Sequence, residues 1–224
     1  MRIRPSRENN FSWLLGALVL ILFCSALVNQ LELSGARVLI NISLIVTVIL
    51  VVWSMETSRD SWFKLKVGVG VLLLGLMLLD SAYNFVELAP FQLLGMFVFF
   101  TITIQIAWGQ VMFTGSVSRN SILGAICIYF LIGLWFTFAY MIVEYFFPNS
   151  FRGLDSEFWQ QDLGAFSFYS MVTLTTLGYG DITPLAPMAR FLAYMQAVIG
   201  VFYTTVLVAS LIGLRLANFR PGDE

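Results

Sequence analysis

Six apolar runs, each close to the length of a bilayer crossing, divide this chain and limit what it can fold into. They are Phe11–Val28, Val38–Ser54, Val67–Asp80, Leu88–Phe113, Ile122–Phe147 and Arg190–Leu214. A helix needs about 20 such residues to cross bilayer hydrocarbon. The third run is short before Asp80 interrupts it, so its helix is placed to start earlier, near Trp62, with Lys64 and Lys66 snorkelling toward the interface. The chain is 59 % hydrophobic and 11 % charged over 224 residues, whereas a soluble domain carries about a quarter charged residues. Its polar side chains are too few to cover a water-facing surface, so lipid must be the solvent for most of it.

Composition also excludes several function classes. A net charge of −1 gives no hint of nucleic-acid binding. There is no histidine, and Cys24 and Cys127 both fall inside apolar runs, so zinc, redox chemistry and a bound cofactor are not expected. The acids and bases gather at the ends of runs and form no nucleophile–base cluster. No catalytic residue, enzyme activity or small-molecule substrate is expected.

Basic residues set the orientation. Arg2, Arg4, Arg7, Arg59, Lys64, Lys66, Arg119, Arg215 and Arg220 share one side, nine of twelve, leaving Arg37, Arg152 and Arg190 opposite. The reading is a multi-pass protein of the cell membrane with both termini cytoplasmic. The outer side collects Glu32, Asp80, Glu87, Glu144, Asp155, Glu157, Asp162 and Asp181, and an acidic mouth concentrates cations. Arg-rich residues before an apolar run also resemble a signal peptide, with "CSA" (Cys24–Ala26) as a weak cleavage match. The first run spans 18 residues, longer than a signal core of roughly 7–15, so it is expected to be retained. Three units follow: a four-helix module over 1–118, a pore-like unit over 119–217 and a short cytoplasmic tail over 218–224.

Between the fifth and sixth runs the pattern changes. "NSFRGLDSEFWQQ" is polar, then "DLGAFSFYSMVTLT" is apolar but only about four turns long, too short to cross. It reads as a re-entrant half-helix with Asp162 at its positive end. "TLGYGDITP" follows, where Pro184 and Pro187 bar a helix. Non-helical backbone at membrane depth is tolerated only where it lines a water-filled path or is buried in protein. Gly178 and Gly180 occupy alternate positions. Turning successive carbonyls the same way demands alternating backbone handedness, which glycine adopts cheaply. Leu177 and Tyr179 then turn their side chains away, and the Thr176 hydroxyl adds an oxygen. Such a column of neutral oxygens replaces the water shell of a cation. One strand cannot encircle an ion, so several copies must meet on an axis.

These residues resemble the potassium channel family, whose filter loop is a standard example of carbonyl-ring selectivity. The shared pattern is Thr173, Thr176, Gly178, Tyr179, Gly180 and Asp181, with Leu177 where valine is commoner. The resemblance is specific from about Phe166 to Gly200 and only topological before that. It implies an all-α membrane protein: six transmembrane helices, a re-entrant pore helix and a selectivity-filter loop between helices five and six, assembled as a homotetramer among membrane lipids. Potassium sites would be formed by the carbonyls of Thr176, Leu177, Gly178 and Tyr179, with Gly180 closing the ion-binding strand.

By position, the resemblance also makes Gly200 a hinge in the inner helix, although close helix packing explains a glycine there equally. Val201, Thr204 and Val208 would face the cavity, and Glu144 would brace the outer pore or simply end its helix. Thr175, Phe168, Tyr169, Val172 and Asp181 would support the filter. Two departures matter. Relatives place tryptophans where Phe168 and Tyr169 stand, and Phe168 has no donor for Asp181. Val172 stands where some relatives carry a carboxyl. Tyr169 could still reach the Tyr179 hydroxyl. The filter is therefore expected to be less braced and readier to inactivate.

Relatives with six spans sense voltage through arginines in the fourth. Here that run, "LAPFQLLGMFVFFTITIQIAWGQVMF", has no arginine or lysine, and each crossing charge is worth about 2.3 kcal/mol per 100 mV. Arginine-based voltage gating is not expected. The short link "TGSVSRN" predicts that each module packs beside its own pore. The leading function is passive, selective potassium conduction. A less selective cation channel, a potassium-transporter subunit and a non-conducting scaffold are the alternatives.

Overall fold

The computed structural model describes residues 10–31, 36–54, 61–83, 88–112, 119–154 and 159–217. Arg2, Arg4, Arg7, Glu32, Arg59, Glu87, Asp155, Glu157, Arg220, the tail 218–224 and most of the "TGSVSRN" link lie outside these residues. The side chains of Arg37, Asp80, Arg119, Asp162, Val208 and Arg215 also lie outside what is described.

The architecture is helical. α1 (Asn10–Leu31), α2 (Ala36–Ser54), α3 (Ser61–Tyr83) and α4 (Ala89–Met112) follow one another, then α5 (Arg119–Phe146), the shorter α6 (Trp159–Leu174) and α7 (Pro187–Ala217). Proline explains two of the starts. Pro90 lies in the first turn of α4 and Pro187 opens α7, where a missing N–H costs nothing. Among the described residues, Ala89–Val111, Asn120–Phe146 and Pro187–Leu207 are long and apolar enough to cross a membrane, while α1, α2 and α6 carry shorter apolar stretches. By that measure three of the six expected crossings reach full length. As expected, α3 does begin beside Trp62.

Consecutive helices of the module pack side by side, and α4 lies along α5. That seam is aromatic. Phe97 meets Trp135 with ring centroids 4.6 Å apart, Phe100 stacks on Phe138 at 5.5 Å, and Trp135 Nε1 donates to Thr101 Oγ1 at 2.7 Å. α1 also touches α5 and α6 of the same chain, with Cys127 Sγ donating to the Phe11 carbonyl at 3.3 Å. Within the single chain, α1 and α4 therefore pack on α5, and α1 and α2 on α6.

One sequence expectation is corrected. Lys64 is exposed, but Lys66 does not snorkel: it is 0 % exposed. Its Nζ donates to the Val51 carbonyl at 3.0 Å and stands 5.9 Å from the Phe99 ring centroid. Two residues of helix turn α3 by about 200°, so Lys66 faces α2 and α4 where Lys64 faces outward. A carbonyl accepts from the buried amine and an aromatic ring lies beside it.

Between α5 and α6 the chain turns back through Asn149, which takes φ +66°. Strand β1 (Phe151–Arg152) pairs antiparallel with β2 (Thr183–Pro184), Phe151 opposite Pro184 and Arg152 opposite Thr183. The Leu185 and Ala186 amides donate to the Ser150 carbonyl at 2.7 and 3.2 Å. The segment after residue 180 is thus anchored by backbone to the segment after α5.

Candidate functional site

α6 is a helix of 16 residues, buried along most of its length, that delivers the chain to Thr175. Leu163, Phe166, Ser167, Ser170 and Leu174 are buried along it. At its end the helix unwinds in a specific way. The Thr176 amide donates to the Thr173 carbonyl at 3.0 Å, and the Val172 carbonyl accepts the Leu177 amide at 2.9 Å and the Gly178 amide at 3.4 Å. Thr175 Oγ1 reaches back to the carbonyls of Met171 at 2.9 Å and Val172 at 3.2 Å. The loop thus hangs from the negative end of α6 by donors that complement that end.

Beyond this anchor, handedness alternates. Thr176, Gly178 and Gly180 take φ of +60°, +55° and +87°. Threonine is rarely found there, so the α6 hydrogen bonds are holding Thr176 in a strained conformation. Residues 175–181 are all exposed in the single chain, and a Cβ added to Gly178 or Gly180 would meet nothing within 4 Å.

The flanking residues separate by helix phase. Phe168 lies flat against Tyr179, with centroids 6.1 Å apart and planes 2° from parallel. Within this chain Tyr169 does not meet Tyr179 but turns into the helix packing. Its ring packs on Tyr140 at 4.9 Å and Phe151 at 5.6 Å, and its side chain hydrogen-bonds Thr173. Adjacent helical residues point about 100° apart, so only one of the pair faces the loop. The Asp181 carboxylate accepts from the amide of its own neighbour Ile182 at 3.1 Å. The buried Val172 side chain carries no polar group, and it is the Val172 carbonyl that engages the loop. Glu144 holds the turn after α5: Oε1 accepts from the Asn149 amide at 2.7 Å and Oε2 from the Phe151 amide at 3.1 Å.

α7 closes the site from the side. At Gly200 an added Cβ would stand 2.0 Å from the Leu174 carbonyl oxygen, the close helix packing that one of the two readings of this glycine requires. Val201 is exposed, and the exposed Thr204 donates to the carbonyls of Gly200 at 3.1 Å and Val201 at 3.0 Å. Phe191, Tyr194, Val198, Phe202 and Val206 are exposed as well, a run of apolar surface left uncovered by the rest of the chain.

Several residues of this site escaped sequence reasoning. Tyr129 Oη donates to the Leu174 carbonyl at 3.2 Å, and Tyr203 Oη donates to the Ala125 carbonyl at 2.6 Å. Gln196 is 0 % exposed and bridges Tyr140 to Ser170. The available signal was a glutamine inside an apolar run, a costly residue that demands partners.

Residues 128–214 match the family model described as "Ion channel". The chain is also 35 % identical over 74 residues to the potassium voltage-gated channel protein shk-1 of Caenorhabditis elegans; the match covers 33 % of this chain and 11 % of that protein. No solved structure matches.

Proposed function

We propose, from the match of residues 128–214 to the ion-channel family model, that this chain passes potassium selectively and passively across a cell membrane as a homotetramer. The family is one of channels rather than enzymes. The observation that carries the finer reading is the alternation of positive φ at Thr176, Gly178 and Gly180 in a segment hung from the end of a half-helix. Four such segments on one axis present the Thr176, Leu177, Gly178 and Tyr179 carbonyls to a dehydrated ion, with Gly180 at the outer end. The exposed apolar surface of α7 supports assembly, because α7 and the loop are left uncovered where a second copy would pack.

In this reading α1 to α5 and α7 cross the bilayer and both termini are cytoplasmic. The module 1–118 carries no basic residue in α4, so the channel is not opened by arginine-based voltage sensing. Residues 119–217 form the pore, followed by the tail 218–224. Thr175, Phe168, Val172, Asp181 and Glu144 support the filter, and Val201, Thr204 and Val208 line the cavity below it.

The test is potassium flux from liposomes holding the purified protein, with reversal potential in mixed sodium and potassium. Selective flux abolished by Gly178→Asp supports the reading, and a monomeric particle or a flux blind to that substitution overturns it. A less selective cation channel is the second reading. The Asp181 carboxylate rests on its own neighbour and Phe168 offers it no donor, and a reversal potential near zero in equal and opposite gradients favours that alternative.

A further inference from the structure

We propose that Gln196 is a positioning residue for the filter: it holds the last turn of α6 between α5 and α7, and with it the alternating loop. This rests on the proposed potassium pathway and names a determinant of its selectivity. Gln196 lies on α7, Tyr140 on α5 and Ser170 on α6, and all three are 0 % exposed. Tyr140 Oη donates to Gln196 Oε1 at 2.5 Å. Gln196 Nε2 donates to the Ser170 carbonyl at 3.0 Å and to Ser170 Oγ at 2.7 Å. Ser170 Oγ in turn donates to the Gly133 carbonyl on α5 at 2.6 Å. Both ends of the amide are satisfied, and the chain of bonds crosses three helices.

Packing alone does not require this side chain. A methionine fills about the same volume without the cost of burying an amide. What the amide adds is direction, because a fully satisfied buried network permits one arrangement where an apolar contact permits several. That direction is applied close to the filter. Ser170 stands two residues before Val172, whose carbonyl holds the Leu177 and Gly178 amides. Any slide of the last turn of α6 therefore moves the strand that hangs from it. Rings of carbonyls discriminate ions by the number and placement of their oxygens, so such a slide is read as selectivity and potassium occupancy.

The experiment uses the full chain in liposomes: wild type, Gln196→Met and Tyr140→Phe. It reads the sodium-to-potassium permeability ratio from reversal potentials, and the potassium concentration that half-protects the assembly against heat. Gln196→Met is expected to raise both by at least about 3-fold, the scale of one lost buried hydrogen bond. A merely structural role lowers the melting temperature and leaves the ratio and the half-protecting concentration unchanged, and that result overturns the proposal. Should Gln196→Met fail to assemble, Tyr140→Phe decides alone: it deletes one hydroxyl, a smaller shift in both readouts is expected, and no shift overturns the proposal. A wild type that is neither selective for potassium nor protected by it overturns the pathway itself, and this inference with it.

Discussion

Gly200 on α7 and Leu174 at the end of α6 meet backbone to backbone, so closely that a Cβ on Gly200 would lie 2.0 Å from the Leu174 carbonyl oxygen and 3.0 Å from its carbon. Neither atom belongs to a flexible side-chain tip, so a methyl group fits only if one helix moves. Two effects oppose each other in Gly200→Ala. Helix propensity favours alanine by about 1 kcal/mol, and overpacking costs about 1–3 kcal/mol or more. At 2.0 Å the clash dominates. We expect Gly200→Ala to lower the melting temperature of the purified protein and to reduce potassium flux. An unchanged melting temperature with altered opening alone would favour the hinge reading of this glycine.

Phe168 packs flat on Tyr179 and has no group to offer Asp181. Phe168→Trp keeps an aromatic face for Tyr179 and adds an indole N–H beside the proposed filter. Under steady activation, wild-type current is expected to decay and the Trp variant's current to decay several-fold more slowly. Phe168→Ala removes a ring pair worth about 0.5–1.5 kcal/mol and is expected to quicken the decay. Sustained wild-type current, indifferent to Phe168→Trp, removes the idea of a weakly braced filter.

Legibility varied with the range of the interaction. The half-helix and the loop after it were readable because local rules govern them: a short apolar stretch, alternate glycines and two prolines. The left-handed Thr176 was not, since its conformation is held by hydrogen bonds from α6 rather than chosen by threonine itself. Lys66 was misread because α3 is apolar nearly all round, leaving no stripe to say which side faces in. The direction of Tyr169 depended on helix phase at a start that sequence places only within a few residues. The bridge from Tyr140 through Gln196 to Ser170 joins positions 56 and 26 residues apart, which no local pattern encodes. The pairing of β1 with β2 is likewise long-range and only two residues deep.

Glu144 accepts from the Asn149 and Phe151 amides at once and so holds the turn that carries β1 to β2. Charge-assisted bonds to backbone amides are the stronger kind. Glu144→Ala removes two bonds, one exposed and one part-buried, and is expected to cost about 0.5–1.5 kcal/mol. Glu144→Gln retains one acceptor oxygen and is expected to lose less. Thermal melting of the two variants checks the order. The loss should also appear in flux, since the ladder ends two residues after Asp181. Equal melting of Glu144→Ala and wild type would make Glu144 an ordinary solvated helix end.

Lys66 and α4 together bear on voltage. α4 has no basic residue, and the buried Lys66 amine on α3 is held by a carbonyl and faced by an aromatic ring, with none of its surface exposed. A charge that crosses the full field contributes about 2.3 kcal/mol per 100 mV, and a Lys66 fixed in place contributes none of it. The expected conductance–voltage relation is shallow, with an apparent gating charge below about one elementary charge, and Lys66→Met leaves that slope unchanged. Its stability should be equal or higher, because replacing a buried ion by an apolar side chain of similar length is often neutral or stabilising. Lys66→Glu should fail to fold well, since it sets a buried anion against the Val51 carbonyl. A steep slope lost on Lys66→Met would instead make this lysine the moving charge of the module.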